Sequence, residues 1–235
     1  KRNPDICVPE HQKNISKQTP WGKMTYLEYK HQIEFNEDQI KELVDYSKNI
    51  GIEFFASVWD IDSVKLMSKY TKYAKLGSAV ITDLKLVSET RKYFDFVILS
   101  TGMSTEDEVR SAIDIGRPDV IMHTNSTYPC PIEDLNLKYI SYLKNHYKVA
   151  IGYSGHELEL ATTYTAIGLG ATWIERHFTL DQNMWGSDQK ASINPNQLKE
   201  LVDNIRVIEK AIQYEPQPRI LFEKENTKKI SLRKN

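Results

Sequence analysis

From about residue 50 onward, short apolar runs rich in branched and aromatic side chains alternate with stretches of helical periodicity. Six runs stand out: Ile52 to Val58, Tyr73 to Ala79, Phe94 to Ser100, Val120 to Thr124, Val149 to Ser154 and Thr172 to His177. They recur at intervals of roughly 20 to 30 residues, which predicts βα units around a parallel sheet.

The intervening helices carry their own start signals. Ser104 before Thr105, Glu106 and Asp107 reads as a capping-box-like start, and Asn194-Pro195 begins the last long helix in the same way. The apolar positions of that helix, Leu198, Leu201, Val202, Ile205, Ile208 and Ile212, share one face, which is expected to pack inward. Residues 1 to 36 read as a long loop preceding a helix, because Pro4, Pro9, Pro20 and Gly22 interrupt a polar stretch. The final stretch holds Pro216, Pro218 and the basic run Lys228 to Lys234, which reads as a solvated tail.

Six strands suit either an open doubly wound sheet or an incomplete barrel, and both carry their sites at the carboxyl ends of the strands. Here nearly every run ends in polar groups: Ser57, Lys75 with Ser78, Ser100 with Thr101, His123 with Ser126, Ser154 with His156, and His177. Convergence from all six favours a ring, and no glycine-rich phosphate fingerprint follows any strand. The expected fold is an α/β barrel lacking its first two strands.

Composition then narrows the function. With 235 residues, 40% of them hydrophobic, one large domain over 1–235 can bury its own core. The formal charge of -1, from 31 basic and 32 acidic residues mixed along the chain, argues against nucleic acid or anionic lipid as partner. Cys7 and Cys130 match no metal or redox spacing, which fits free thiols in a reducing compartment and predicts a cytoplasmic enzyme. No apolar run approaches the roughly 18 residues of a membrane span.

The strongest candidate pair is His156, in Gly152-Tyr153-Ser154-Gly155-His156-Glu157, and His177, in Glu175-Arg176-His177. They lie one βα unit apart, and imidazoles on neighbouring strand ends can reach one cation at about 2.0 to 2.2 Å each. Two nitrogen ligands with open positions suit Mn²⁺, Co²⁺, Fe²⁺ or Zn²⁺ acting as a Lewis acid on a carbonyl. Lys75 interrupts an apolar run, so its ammonium points into a barrel and needs an anion. That anion is either a phosphate, with Ser57, Ser78, Ser126 and Ser154 as hydroxyl donors, or an Asp or Glu in a structural ion pair. Asp188, in Trp185-Gly186-Ser187-Asp188, either accepts from sugar hydroxyls or caps its own loop. Tyr128 either offers its phenol to substrate or packs beside Pro129. Hydrolase elbows, Walker-type loops and Cys-x-x-Cys pairs are absent. The residues alone point to a metal-dependent barrel enzyme acting on a phosphorylated or carbonyl substrate.

Several motifs together resemble the N-acetylneuraminate (sialic acid) synthase family: Lys1-Arg2-Asn3-Pro4-Asp5, Thr19-Pro20-Trp21-Gly22, Met24 to Lys30, Ser100-Thr101-Gly102-Met103-Ser104, Gly152 to Glu157, Glu175-Arg176-His177 and Gly186-Ser187-Asp188. The resemblance implies a (β/α)₈ TIM barrel. It also implies condensation of phosphoenolpyruvate with N-acetylmannosamine or a related 2-acetamido sugar, giving a nine-carbon sialic or legionaminic acid and phosphate. It implies that His156 and His177 bind a divalent metal, Mn²⁺ first and Mg²⁺ or Co²⁺ otherwise. Lys75, Ser57, Ser78, Ser126 and Ser154 then resemble phosphoenolpyruvate-binding positions, while Tyr128 and Asp188 face the amino sugar. Ser57 matches only with a small shift of alignment, and Ser126 stands where some members have asparagine.

Two departures follow from the same resemblance. Family members begin with a strand, helix and strand ahead of Lys1-Arg2-Asn3-Pro4-Asp5, carrying a glutamate and a lysine-glutamine pair of the site. Without two of eight strands the ring should expose sheet edges and become unstable or associate. Many members also carry a C-terminal antifreeze-like domain that lends an arginine to a partner subunit, so a homodimer is expected, although that domain is not among these residues. The rival expectations are a shorter keto-sugar acid synthase and a non-catalytic binding module.

Overall fold

Six parallel strands lie side by side in sequence order, each joined to the next by a helical crossover. The computed structural model describes residues 1–213; the expected tail of Pro216, Pro218 and Lys228 to Lys234 lies outside the described residues. In chain order the elements are α1 (Pro4–Cys7), α2 (Glu10–Lys13), β1 (Ser16–Thr19), β2 (Gly22–Thr25), α3 (Tyr26–Ile33) and α4 (Glu37–Asn49). The repeat follows: β3 (Ala56–Ser57), α5 (Ile61–Met67), β4 (Tyr73–Leu76), α6 (Leu84–Tyr93), β5 (Phe96–Ser100) and α7 (Glu106–Gly116). It continues with β6 (Val120–Thr124), α8 (Lys138–His146), β7 (Ala150–Gly155), α9 (Ala161–Gly168), β8 (Trp173–Arg176) and α10 (Pro195–Ala211).

The sheet is strongly curled. Strands β4 and β8 are four steps apart, about 19 Å in a flat sheet at about 4.8 Å per step. Yet Lys75 on β4 and Glu175 on β8 meet at 2.7 Å. Near the other end, Phe96 on β5 and Trp173 on β8 have ring centroids only 5.3 Å apart. Both contacts require the strands to wrap around a common interior. Among the described residues β3 and β8 remain edges, so the ring is not closed there.

Period two along each strand separates two faces. Ala74, Leu76, Leu99, Ile121 and Tyr153 join the main core with Leu86, Ile140 and Leu143 of the surrounding helices. Ile98, Val120 and Met122 form a smaller cluster on the opposite, inner face. Each buried aliphatic side chain contributes about 1.5 to 3 kcal/mol, so the outer layer carries most of the stability.

Several expectations need correction. Ile52 to Val58 yields only a two-residue strand, because β3 has β4 on one side alone and Ile52 and Phe55 are exposed. The strand through Tyr73 stops at Leu76, where Gly77 leads into a 3-10 turn over Ser78–Val80. Helix α7 is capped by Thr105 rather than Ser104: Thr105 Oγ1 accepts from the Glu108 amide, and Glu108 accepts from the Thr105 amide. Asn194 caps α10 as expected, with Gln197 completing the box.

The apolar face of α10 does not pack inward along its length. Leu201 is buried against Leu160 and Ile193, with Ile205 partly covered, while Leu198, Val202 and Ile212 are exposed. A helix resting on one neighbouring helix covers only a narrow strip. Residues 1 to 36 are not a loop. They form two short helices, a hairpin and α3, whose Thr25 and Glu28 make a full capping box. The hairpin leaves no strand signal in the sequence because Ser16–Thr19 and Gly22–Thr25 are largely polar and show no apolar alternation.

Candidate active site

The carboxyl ends of β4, β6, β7 and β8 bring their polar groups together. Lys75 Nζ sits 2.7 Å from Glu175 Oε1, and Ser154 Oγ donates to the same oxygen at 3.1 Å. Lys75 is thus paired with a protein carboxylate, Glu175, and its ammonium retains further donors for a second anion. The sequence carries a signal for Glu175: it lies two residues before His177, so strand alternation puts both on one face.

His156 and His177 stand on neighbouring strand ends with ring centroids 5.3 Å apart. His156 Nδ1 lies 2.6 Å from the Asn125 carbonyl, to which it donates, leaving Nε2 with a free lone pair. Burial holds this imidazole below its ordinary range; His177 and Lys75 push the same way, against the Asn125 carbonyl and Glu175. A neutral imidazole with an unprotonated Nε2 is the form that ligates a metal. The pair fits a cation that keeps open positions. Among the described residues no cluster of three or more His, Cys, Asp or Glu side chains suits a metal.

Tyr128 lies against His156 in a tilted pair at 4.0 Å between centroids and meets His177 edge-on at 5.5 Å. Burial first, then the Asp188 and Glu175 charges, push its phenol up to about 12, so it stays protonated and able to donate. Asp188 Oδ2 approaches His177 Nδ1 to 4.0 Å, beyond hydrogen-bond reach. The Asp188 carbonyl meanwhile accepts from Ser192 Oγ at 2.8 Å, so the residue ties its own loop through its backbone while its carboxylate faces the site.

Ser78 and Ser126 converge on Gly102. The Gly102 amide donates to Ser78 Oγ at 2.9 Å, and a Cβ at this glycine would lie 2.5 Å from Ser126 Oγ and 2.8 Å from Ser78 Oγ. The role of Gly102 depends on close backbone approach, which sequence alone does not reveal. Thr124 links this corner to the histidines, with its methyl near Gly102 and Oγ1 3.4 Å from His156 Nδ1. A cleft of about 510 Å³ opens beside it, between Ser104, Ser126 and Tyr139.

Two strand-end residues stand apart. Ser57 is the register partner of Lys75 but makes no side-chain hydrogen bond among the described residues. His123 faces the helix layer, packed between Tyr139 and Tyr153, with Nε2 2.7 Å from the Leu135 carbonyl. It does not converge on the site, because Met122 and Thr124 take the inward positions of β6.

The chain has relatives among known proteins. A family model described as the NeuB family matches residues 1–216. The N-acetylneuraminate-9-phosphate synthase of Mus musculus is 38% identical over 198 residues, covering 82% of this chain and 55% of its own. The N,N'-diacetyllegionaminic acid synthase of Campylobacter jejuni is 37% identical, covering 73% of this chain and 54% of its own. The crystal structure of N-acetylneuraminic acid (sialic acid) synthetase from Leptospira borgpetersenii superposes with a TM-score of 0.78 at 29% identity, over 86% of this chain and 73% of that one. The chain spans a little over half the length of the curated relatives it matches.

Proposed function

This chain belongs to the NeuB family, and on that footing we propose that it condenses phosphoenolpyruvate with N-acetylmannosamine or a related 2-acetamido sugar. C3 of phosphoenolpyruvate attacks the open-chain aldehyde carbon, water adds at C2 and inorganic phosphate leaves. A nine-carbon sialic or legionaminic acid results. The observation that carries this reading is the grouping of Lys75, Ser154 and Glu175 beside the paired rings of His156 and His177. One anionic and one polyhydroxylated substrate need such a neighbourhood of ammonium, hydroxyl and carboxylate.

Within that reading Lys75, Ser57, Ser78, Ser126 and Ser154 hold phosphoenolpyruvate, with the Gly102 corner shaping its pocket. Tyr128 donates to the acceptor sugar and Asp188 accepts from its hydroxyls. His156 and His177 would hold a divalent cation, Mn²⁺ before Mg²⁺ or Co²⁺, which supplies Lewis-acid polarisation of a carbonyl. The curled sheet is then six strands of a (β/α)₈ barrel. Two further strands outside these residues would cover the edges at β3 and β8. The working protein is read as a cytoplasmic homodimer; no helix among the described residues is long and apolar enough to cross a membrane.

The test is phosphate release from phosphoenolpyruvate by the purified protein. Release should require both a divalent cation and a 2-acetamido sugar such as N-acetylmannosamine, and phosphorylated aldoses without an acetamido group should not replace that sugar. Release without acceptor, or only with an aldose lacking the acetamido group, overturns the assignment. Calorimetric titration of the His156→Ala variant with Mn²⁺ should show loss of binding; unchanged affinity would remove His156 from the metal site.

A further inference from the structure

The loop that carries Asp188 is gripped by an element far away in sequence. Trp185, three residues before Asp188, packs edge-on against Trp21 at the tip of the β1–β2 hairpin, with centroids 6.3 Å apart. It also packs edge-on against Tyr29 of α3, at 5.5 Å. The ammonium of Lys17 on β1 lies 4.3 Å from the Tyr29 ring and 5.4 Å from that of Trp185. Each such aromatic or cation-π contact is worth about 0.5 to 1.5 kcal/mol, which together is enough to hold a surface loop in one conformation.

The grip reaches Asp188 through a short, constrained connection. Gly186 has φ +149°, and a Cβ there would strike the Gln189 side chain at 2.1 Å. On its far side the chain is pinned by the Asp188 carbonyl, which accepts from the Ala191 amide and from Ser192 Oγ. With both flanks anchored, the backbone of Asp188 is held where its carboxylate lies 4.0 Å from His177 Nδ1. The Tyr29 phenol, raised chiefly by burial, also feels the Asp188 charge, as expected of groups sharing one corner.

We infer that the β1–β2 hairpin and α3 form a clamp, through Trp21, Tyr29 and Lys17 on Trp185, that positions Asp188 for the acceptor sugar. Trp185 and Tyr29 are thus positioning residues for acceptor recognition. The consequence for the sugar rests on the reaction proposed above. The clamp itself does not.

The experiment uses the Trp21→Ala/Tyr29→Ala double variant, which leaves the 178–192 loop unaltered, and Trp185→Phe, which keeps an aromatic ring there. Hydrogen exchange of the Met184, Ala191 and Ser192 amides, which donate to the Asp181, Asp188 and Gln189 carbonyls, should accelerate by roughly tenfold or more in the double variant and stay near wild type in Trp185→Phe. The KM for N-acetylmannosamine should rise roughly tenfold in the double variant while that for phosphoenolpyruvate stays within about twofold. Unchanged exchange in the double variant overturns the clamp, and an equal rise in both KM values overturns its role in acceptor recognition. A wild-type protein inert toward the sugar would sink the proposed reaction, and the exchange result alone would then decide the clamp.

Discussion

Arg176 and Glu157 form a buried ion pair directly behind the two histidines, with Nη1 3.2 Å from Oε1 and side-chain exposures of 2% and 0%. Each is the chain neighbour of a site histidine, so the pair ties the end of β8 to the segment leaving β7. Glu157 also accepts from the hydroxyls of Tyr153 at 2.9 Å and Thr162 at 2.6 Å, and the Arg176 guanidinium donates to the Glu157 carbonyl and to Thr163 Oγ1. A charge so buried is tolerable because both carboxylate oxygens and both terminal guanidinium nitrogens are partnered, although Arg176 Nε is not.

Breaking that pair should be costly. Glu157→Gln keeps the shape but leaves the guanidinium without its counter-charge, for an expected loss of about 3 kcal/mol, or roughly 6 to 12 °C in Tm. Differential scanning calorimetry measures it. A shift below about 2 °C would mean that water screens the pair.

The Lys75–Glu175 contact should couple the two residues energetically as well as spatially. Lys75→Met leaves the carboxylate with Ser154 as its remaining side-chain partner, so the single variant should lose more stability than its share of the double variant Lys75→Met/Glu175→Gln. A double-mutant cycle by urea denaturation should return a coupling of about 1 to 3 kcal/mol, and a value under about 0.5 would show the pair to be solvent-screened.

Gly102 admits no side chain without moving Ser78 or Ser126. Gly102→Ala puts a methyl 2.5 Å and 2.8 Å from their hydroxyl oxygens and 3.0 Å from the Thr124 methyl. The expected result is a KM for phosphoenolpyruvate raised at least about tenfold with a stability loss of only about 1 kcal/mol. A variant with unchanged phosphoenolpyruvate kinetics would separate this corner from the substrate site.

His123 should make the fold acid-sensitive. Burial holds its imidazole below the ordinary 6.5, against the opposing pull of the Leu135 carbonyl. The unfolded chain therefore takes up this proton at higher pH than the folded protein. Stability should fall as pH drops below about 6.5 and level off once the folded imidazole is itself protonated. Denaturant unfolding at about pH 7.5 and about pH 5.5 should show a smaller difference in His123→Phe than in wild type; equal differences would point to another group.

The βα repeat, the six strand locations and the pairing of His156 with His177 were legible in the sequence because they depend on local periodicity. Period two also contains Glu175, two positions before His177, on the same face. The hairpin was not legible, since its strands are polar and its value lies in Trp21 meeting a tryptophan 164 positions later. Nor was the exposed face of α10, whose apolar stripe is wider than the strip its neighbours cover.

What the sequence determined by itself was the set of strands and which side chains share a face, because both follow from backbone geometry within a few residues. Which charges meet was decided only by the tertiary structure. Lys75 finds Glu175 a hundred residues away because the sheet curls, and His123 turns from the site because its neighbours on β6 take the inward positions. Curl and inward direction arise from packing the helix layer against the whole sheet, and no single segment carries that information.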